Sequence, residues 1–245
     1  MRSALFAAEN LEKESQQPGM RLQNSKLLKV EMNGEMMART GTMVAYQGQM
    51  QFQALGSGGV GKWLKQKFTG EGVPLMKVTG RGDLFLADRA ADVHLIDLDQ
   101  GDAISINGAN VLAFDATLQY DIKMVQGMGM LSSAGLFNCV FTGQGRLAIT
   151  TKGTPVVLTV DQPTYVDPQA AICWSASLQT GYHRADQLGI GTLLGRSTGE
   201  AFTMSFAGQG FVVVQPSEEP AGGLAGHGSG QQQQSQGMLG GLLGG

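Results

Sequence analysis

The chain has 245 residues, a formal net charge of −3 and only 15% charged residues. That length can bury a sizeable core, but the charge balance excludes the basic surface expected of a nucleic-acid-binding protein. Glycine is abundant, at 37 residues, and the apolar content is 42%. Together these values are typical of many short strands joined by tight turns.

The N-terminal part is polar and irregular in pattern, and we expect residues 1–24 to form a flexible arm. Its apolar run at 5–8 is too short for a secretory signal, and Glu9, Glu12 and Glu14 follow at once. This pattern favours a soluble cytoplasmic protein. No stretch of the sequence approaches the roughly 18 apolar residues that a membrane-spanning helix needs.

From Leu27 onwards apolar and polar residues alternate, which predicts a half-buried strand, and Asn33-Gly34 predicts a tight hairpin turn within it. The alternation continues at 43–46 and 50–52, on either side of Gly48. Short apolar segments bounded by turn residues predict further strands. These are expected at 74–79, 83–87, 92–98, 103–106, 110–114, 117–124, 136–142, 145–151, 155–160, 164–166, 170–178, 201–207 and 210–215.

A phrase consisting of an apolar approach, a Gly-x-Gly step and a second apolar run occurs three times, at 78–86, 141–149 and 206–214. Self-similarity at a near-constant period predicts one supersecondary unit built three times. We expect the glycines to serve backbone geometry, through a positive φ or a close approach of strands. The glycine pairs are Gly80 and Gly82, Gly143 and Gly145, and Gly208 and Gly210.

These features predict an all-β fold, an antiparallel sandwich or barrel made of three related β units. Because the units share internal strands, we treat 25–215 as one domain. Leu86, Ile149 and Val213 follow the glycine pairs at alternating positions. We expect these three side chains to point into the core.

The loop at 56–62 matches the spacing of a phosphate-binding loop through Gly56, Gly61 and Lys62. Such a loop needs a Ser or Thr hydroxyl after the lysine to bind Mg²⁺, and Trp63 takes that position. Similar glycine loops at 127–131 and 189–193 have no lysine, as expected of a structural element. Nucleotide or small-ligand binding at 56–61 is therefore an alternative function, and we predict no cofactor.

Residues 62–68 combine three lysines with apolar side chains. Two helical turns would place Trp63, Leu64 and Phe68 on one face, where they would pack on the domain or contact another surface. These three residues are candidate interface residues. Binding to a membrane surface, and with it a role in membrane organisation, stays open as a further alternative.

From Pro216 the composition changes to Gly, Gln and Ser, which cannot bury enough surface to offset the chain entropy. We expect residues 216–245 to form a disordered tail. Its apolar tip at 238–243 is either an inert end or a docking motif for an unidentified protein partner.

Residues that could carry a reaction or hold a metal are sparse. Cys139 and Cys173 lie in apolar segments without a CxxC pair, and we interpret them as buried free thiols. His94, His183 and His227 have no neighbours at metal-ligand spacing. No nucleophile elbow or other catalytic pattern occurs, so we predict neither an enzymatic activity nor a metal site.

Two segments resemble a known family: 41–48, and 58–72 with its sequence Phe68-Thr69-Gly70-Glu71-Gly72. Together with the glycine phrases, over about 25–215, they resemble the altered-inheritance-of-mitochondria twenty-four family. The resemblance implies a β-rich fold similar to the tryptophan RNA-binding attenuation protein, a homotrimer and no defined enzymatic activity. It carries no RNA-binding residue onto this chain, and with the acidic charge balance we predict no nucleic-acid partner.

The leading expectation is therefore a non-catalytic scaffold or interaction protein that acts as a homotrimer. A low charge content and 13 methionines agree with a subunit interface. We expect the tail to be dispensable for assembly.

Overall fold

The computed structural model describes residues 3–13, 17–55, 73–124, 137–184 and 202–217. Apart from three short 3-10 turns, every regular element in these ranges is a β-strand. The strands are β1 (Gly19–Asn24), β2 (Leu27–Arg39), β3 (Met43–Ala54), β4 (Leu75–Leu86), β5 (Asp92–Leu98), β6 (Ala103–Asn107), β7 (Val111–Asp115), β8 (Gln119–Met124), β9 (Phe137–Thr142), β10 (Gly145–Thr151), β11 (Val156–Val160), β12 (Thr164–Val166), β13 (Ala171–Ser175), β14 (Gln179–Arg184), β15 (Phe202–Ala207) and β16 (Gly210–Val214).

The strands form three antiparallel sheets, none of which closes on itself within the described residues. The first sheet has the order β3-β4-β2-β7-β10-β5, with β1 paired to β2, and the second has the order β11-β16-β13-β6-β9-β8. The third has the order β12-β15-β14. The predicted all-β antiparallel fold is confirmed. A closed barrel, one of the two forms left open, is wrong for the described residues.

Three apolar clusters hold the sheets together. The first core is built entirely from strands of the first sheet, around Leu28 and Val78. The second core lies between the first and second sheets, where the rings of Phe114 and Phe141 meet edge to face at 4.8 Å. The third core lies between the second and third sheets, around Trp174. Strands β13 and β16 of the second sheet therefore contribute to a core on each face, and the first sheet encloses a core of its own.

The second and third glycine phrases are points where the chain changes sheet. The chain leaves β9 in the second sheet, passes Gly143, and enters β10 in the first sheet. It likewise leaves β15 in the third sheet, passes Gly208, and enters β16 in the second. The first phrase behaves differently, because β4 runs through Gly80 and Gly82 without leaving the first sheet.

The same backbone contact follows both changes of sheet. The backbone N–H of Arg146 donates to the Asp115 carboxylate at 2.8 Å, and that of Phe211 donates to the Ser175 hydroxyl at 3.0 Å. Each acceptor ends the strand that precedes a short turn, at Asp115 in β7 and Ser175 in β13. These contacts agree with related units, although the threefold repeat itself stays a prediction.

The hairpin predicted at Asn33-Gly34 is wrong. Both residues lie in the middle of the 13-residue strand β2. Gly34 takes a φ of +138° there and pairs with Gly80 of β4, which likewise has a positive φ, of +141°. The glycines therefore let two paired strands bend together instead of ending a strand. For the same reason the strands predicted at 74–79 and 83–87 are one continuous strand, β4.

The predicted N-terminal arm contains ordered structure. Strand β1 pairs with β2 from Gly19 to Asn24, and Met20 is buried in the first core. Before it, residues 4–10 form two 3-10 turns. The sequence around β1 is short and polar and gives no periodic apolar signal, so the strand was not predicted. An edge strand of six residues needs only one pairing partner.

Two of the three side chains predicted to point inward are buried, Leu86 and Ile149. Val213 is only half-buried, at the margin of the second core, while its neighbour Val212 is fully buried in the third core. The error arises because β16 has a core on each face, so alternation does not distinguish inside from outside. Strand β14 was also missed, since its sequence is largely polar.

Candidate interaction surface

Strand β3 is a long edge strand that lies almost wholly in solvent. It pairs with β4 on one side, and all but one of its twelve residues are exposed. It has no charged residue and no proline. Natural edge strands usually carry such residues, because an unprotected edge is a template for pairing with another chain.

The register with β4 shows which way the side chains of β3 point. Tyr46 is opposite Leu84, and Phe52 is opposite Val78. Residues directly opposite each other in antiparallel strands share a face, and both β4 residues are fully buried in the first core. The aromatic side chains of β3 therefore lie on the core face of the sheet.

The apolar side chains on this face form a continuous row, which we call the β3 stripe: Met43, Tyr46, Met50 and Phe52. Tyr46 and Phe52 are 47% and 37% exposed, and Met50 packs partly against the first core. The rings of Tyr46 and Phe52 meet edge to face with centroids 5.4 Å apart. The stripe thus extends the first core beyond the edge of the sheet, and no described residue covers it.

The opposite face of β3 is polar. It presents Gln47, Gln49, Gln51 and Gln53, which alternate with the β3 stripe and lie opposite Asp83, Arg81, Thr79 and Lys77 of β4. The strand is therefore amphipathic across its two faces, with amides on one and apolar groups on the other. That division would be unnecessary if both faces met only water.

Four glycines with positive φ form a band across β2, β4 and β3. Gly34 pairs with Gly80, and Gly82 pairs with Gly48. A Cβ on Gly80 would lie 2.1 Å from the Gln49 carbonyl oxygen, and one on Gly82 would lie 2.0 Å from that of Gln47. Only glycine allows both the left-handed backbone and this close approach. The band bends the three strands together.

The bend produces a shallow hollow of about 520 Å³ beside the stripe. Its lining joins the middle of β3 to the bend in β4 and comprises Tyr46, Gly48, Gln49, Met50, Gln51, Thr79 and Gly80. The lining has no charged group that could anchor a small anionic or cationic ligand. Its shape and chemistry suit apolar and amide groups of another polypeptide.

A charged cluster lies on the polar face of β2 and β4. The Lys29 ammonium, with only 3% of its side chain exposed, is 2.5 Å from Glu12 and 3.5 Å from Asp83, and it also donates to the Lys13 carbonyl at 3.0 Å. Burial alone would lower the pKa of Lys29, but the Glu12 hydrogen bond and the Asp83 carboxylate outweigh it and raise the pKa. The N-terminal segment is thereby fastened across this face.

The pKa of Glu12 shifts in the opposite direction to that of Lys29. The hydrogen bond from Lys29 lowers the pKa of the Glu12 carboxyl, against a smaller raising effect of burial. Gln23 adds two further bonds to the same segment, one to the Leu11 carbonyl at 2.8 Å and one from the Lys13 N–H at 2.9 Å. The polar face of this part of the first sheet is therefore closed by the chain itself, while the stripe on the other face is open.

The two cysteines are buried and free. Cys139 in β9 and Cys173 in β13 both lie opposite Ile106 of the intervening strand β6. Two strand spacings separate their Cα atoms by about 10 Å, beyond the span of a disulfide. Burial raises the pKa of each thiol to about 12, so neither is a reactive nucleophile at neutral pH.

The other candidate site residues divide into two groups. The loop glycines Gly56 and Gly61, together with Lys62 and the interface candidates Trp63, Leu64 and Phe68, lie outside the described residues, as does 218–245 of the tail. Gly80, Gly82, Gly143 and Gly208 have positive φ, while Gly145 and Gly210 do not. Gly145 and Gly210 instead leave room for Thr117 and Ser175, which a Cβ would approach to 2.8 and 2.6 Å.

His94 is half-buried, and its Nε2 lies 2.9 Å from the Thr151 hydroxyl. Burial lowers the pKa of this imidazole. Within the described ranges, no three His, Cys, Asp or Glu side chains come together to hold a metal ion. None of the described segments forms a helix long and apolar enough to span a bilayer.

A family model described as "Mitochondrial biogenesis AIM24" matches residues 20–217. The chain belongs to the AIM24 family. The match begins within β1 and ends just after β16, and so contains all three sheets. No protein with curated annotation matches the chain significantly.

A solved structure of the same fold is the crystal structure of a Streptococcus pyogenes protein, at a TM-score of 0.63 and 23% sequence identity. The alignment covers 80% of this AIM24 chain and 91% of the streptococcal one. At that identity the likeness supports the fold and nothing finer.

Sequence reasoning missed the β3 stripe of this AIM24 domain. The alternation of apolar residues and glutamines at 43–54 was visible, but Gly48 divided it into two short strands. The signal that could have identified the surface was the absence of charge over twelve residues that a neighbouring strand covers on one side only.

Proposed function

We propose that this AIM24-family chain is a non-catalytic scaffold or interaction protein that acts as a homo-oligomer, with the β3 stripe covered by another copy. The observation that carries the proposal is the stripe itself. Its aromatic side chains lie on the face that is core in the neighbouring strand β4, yet Tyr46 and Phe52 remain exposed. A row of core-type side chains at an edge is complete only when another surface covers it.

The chemistry of the edge supports a protein as the covering group. Strand β3 has no described strand paired to its outer side, and it has amides on one face and apolar groups on the other. An added polypeptide satisfies all three features at once. A second copy is the occupant that is always present at matching concentration, and closed symmetric assemblies are the usual outcome for like subunits.

A homotrimer is the assembly that we propose, in line with the family resemblance. It predicts a mass near three times 25.8 kDa for the full chain. The other expectations, that the tail docks a protein partner and that the protein is cytoplasmic, remain proposals. Nucleotide binding through Gly56, Gly61 and Lys62 gains no support from the described geometry.

Light scattering on the full chain tests the proposal. Tyr46→Lys places a charge in the stripe and should reduce the mass to that of one chain, while the circular dichroism of the folded domain is kept. Ser25→Lys is the control, because it adds the same charge at an exposed position in the turn between β1 and β2 and leaves β3 unchanged. A wild-type chain that is monomeric at micromolar concentration contradicts the proposal.

A further inference from the structure

Strand β11 is a second apolar edge that no other described strand covers, in the second sheet. It is the edge strand of the second sheet and pairs only with β16 among the described strands. Val156 and Val157 are 55% and 65% exposed. The strand reads Val-Val-Leu-Thr-Val and lies between Pro155 and Pro163.

The register shows that β11 is apolar on both faces. Val156 lies opposite Val214, which packs against the third core, and Val157 lies opposite Val213, which packs against the second core. The neighbouring strand β16 contributes Val213 to the second core and Val212 and Val214 to the third, so the edge at β11 borders two cores. As at β3, apolar side chains of the kind found in a core are exposed on the edge strand.

The other long edge strands of the described sheets contain charged residues. Among edge strands of five or more residues in the described ranges, all except β3 and β11 contain charged residues: Arg21 in β1, Asp92 and Asp97 in β5, Asp121 and Lys123 in β8, and Arg184 in β14. Charges on an edge prevent strand addition. Among the described edges, β3 and β11 are the two long ones without that protection; the three-residue strand β12 also lacks charge.

We propose that β3 of one copy docks on β11 of the next copy, so that the contact joins two different surfaces of the same chain. This inference rests on the proposed homo-oligomer and specifies its contact. A β3–β11 contact covers both unprotected edges with one type of interface. A symmetric β3–β3 contact would leave Val156 and Val157 exposed, and a symmetric β11–β11 contact would leave the β3 stripe exposed.

The head-to-tail contact also gives a closed assembly. A heterologous interface generates a ring when its rotation closes, whereas two separate twofold contacts on one chain tend to propagate further. The five residues of β11 can pair along part of the twelve-residue edge of β3, and both strands are free of charge. Three copies joined in this way use each edge once.

Complementation between two full-length variants tests the contact. Tyr46→Lys blocks the β3 edge and Val157→Lys blocks the β11 edge, and each variant alone should be monomeric by light scattering. In an equimolar mixture, the intact β11 edge of the first variant meets the intact β3 edge of the second. The mass should then rise to about twice 25.8 kDa and no further. The double variant Tyr46→Lys/Val157→Lys should pair with neither.

The outcomes of this experiment distinguish the β3–β11 contact from the homo-oligomer on which it rests. A Val157→Lys chain that assembles like the wild type overturns the β3–β11 contact and leaves the homo-oligomer standing. A monomeric wild type overturns both. A mixture that stays monomeric, while both variants are folded by circular dichroism, also overturns the head-to-tail contact.

Cross-linking provides a readout that does not depend on a disruptive charge. With Tyr46→Cys and Val157→Cys in the same chain, a short bismaleimide should join copies into species larger than a dimer, since Cys139 and Cys173 are buried. Each single cysteine variant should give no joined chains. Joined chains from Tyr46→Cys alone indicate a symmetric β3–β3 contact and overturn the inference.

Discussion

Strands β3 and β8 have the same place in the fold but opposite surfaces. Each is the edge of its sheet, and each pairs with the next strand along the chain, β4 or β9. On β8 the ring of Tyr120 packs on Phe114 at 5.1 Å, whereas on β3 the ring of Tyr46 contacts Phe52 of its own strand. The ring on β8 is therefore packed against core rings of the same chain, although Tyr120 is still 37% exposed, whereas Tyr46 packs on a ring that is itself exposed.

The outward-facing residues of β3 and β8 also differ, in their charge. Strand β8 presents Asp121 and Lys123, which form an exposed ion pair at 3.6 Å, while β3 presents glutamines. The charged edge belongs to the strand that is already covered, and the uncharged edge belongs to the strand that needs a cover. The comparison indicates that charge marks which edges of this fold are closed to association.

The largest expected effect concerns the glycine band that holds β3 on β4. A Cβ at Gly82 would lie 2.0 Å from the Gln47 carbonyl oxygen, and the φ of Gly82 is +127°. We expect Gly82→Ala to lower the free energy of unfolding by about 3 kcal/mol or more, because the clash adds to the cost of a left-handed backbone. Urea denaturation of the full-length chain measures this loss.

Gly143, which follows the strand paired to β8, is the matched control. Its φ is also positive, at +97°, but the nearest atom to an added Cβ is the Thr117 carbonyl oxygen at 3.7 Å. Gly143→Ala should therefore cost only about 1 kcal/mol, the price of the backbone conformation alone. Equal losses at the two positions would show that the close approach of β3 to β4 is unimportant.

The next effect separates folding from assembly. Tyr120→Ala removes a ring that packs on Phe114 and Phe141, and it should lower the free energy of unfolding by about 2 kcal/mol without changing the oligomeric mass. Tyr46→Ala should weaken assembly while the dissociated chain unfolds within about 1 kcal/mol of the wild type. Unfolding curves at several protein concentrations, with light scattering, distinguish the two. If Tyr46→Ala leaves the mass unchanged at all concentrations, β3 is not at the interface.

The same comparison shows what the sequence could predict. The fold class and most strands follow from alternation and turn residues, and β5, β10 and β12 have the predicted bounds. The bend at Gly34 and Gly80 could not be predicted from the sequence pattern. Asn-Gly within one strand normally indicates a hairpin, and here it forms a bend because the partner strand has a glycine at the paired position. That pairing is non-local, and periodicity contains no information on it.

The β3 stripe could not be predicted from the sequence, for a related reason. The β3 stripe is defined by being opposite Leu84 and Val78 while no described strand lies on its other side. Sequence shows which residues are apolar, but only topology shows which strand is an edge. Gly56 and Lys62 were selected as candidate site residues from their spacing in the sequence, which contains no information on topology.

A smaller change should convert the protected edge into an unprotected one. Asp121→Gln with Lys123→Gln gives β8 the amide character of β3 and removes the charges that oppose strand addition. Because the ion pair is exposed, the free energy of unfolding should change by less than about 0.5 kcal/mol. We expect species larger than the wild-type assembly by light scattering. A mass identical to the wild type would mean that charge is not what keeps β8 from association.

The smallest expected effect concerns the polar face of the first sheet beside β3, which Glu12 and Lys29 close. The pKa of Glu12 is lowered below its ordinary value of 4.5, so its contribution to stability is present above that pH and is lost as the pH falls further. The pKa of Lys29 is raised above 10.5, so its contribution is present below that pH and is lost as the pH rises through the folded value. Between these limits the ion pair is complete.

Glu12→Gln should therefore lower the free energy of unfolding between about pH 5 and pH 10, and the difference from the wild type should fade below about pH 4 as the native carboxyl becomes protonated. Because 36% of the Glu12 side chain is exposed, solvent screens the pair, and we expect a loss of only about 0.5 kcal/mol. Glu9→Gln, at an exposed position of the same segment, should show no such pH-dependent difference. The oligomeric mass of Glu12→Gln should match the wild type, because this face is closed by the chain's own N-terminal segment. A change in mass would place the N-terminal segment at the subunit contact in addition to β3.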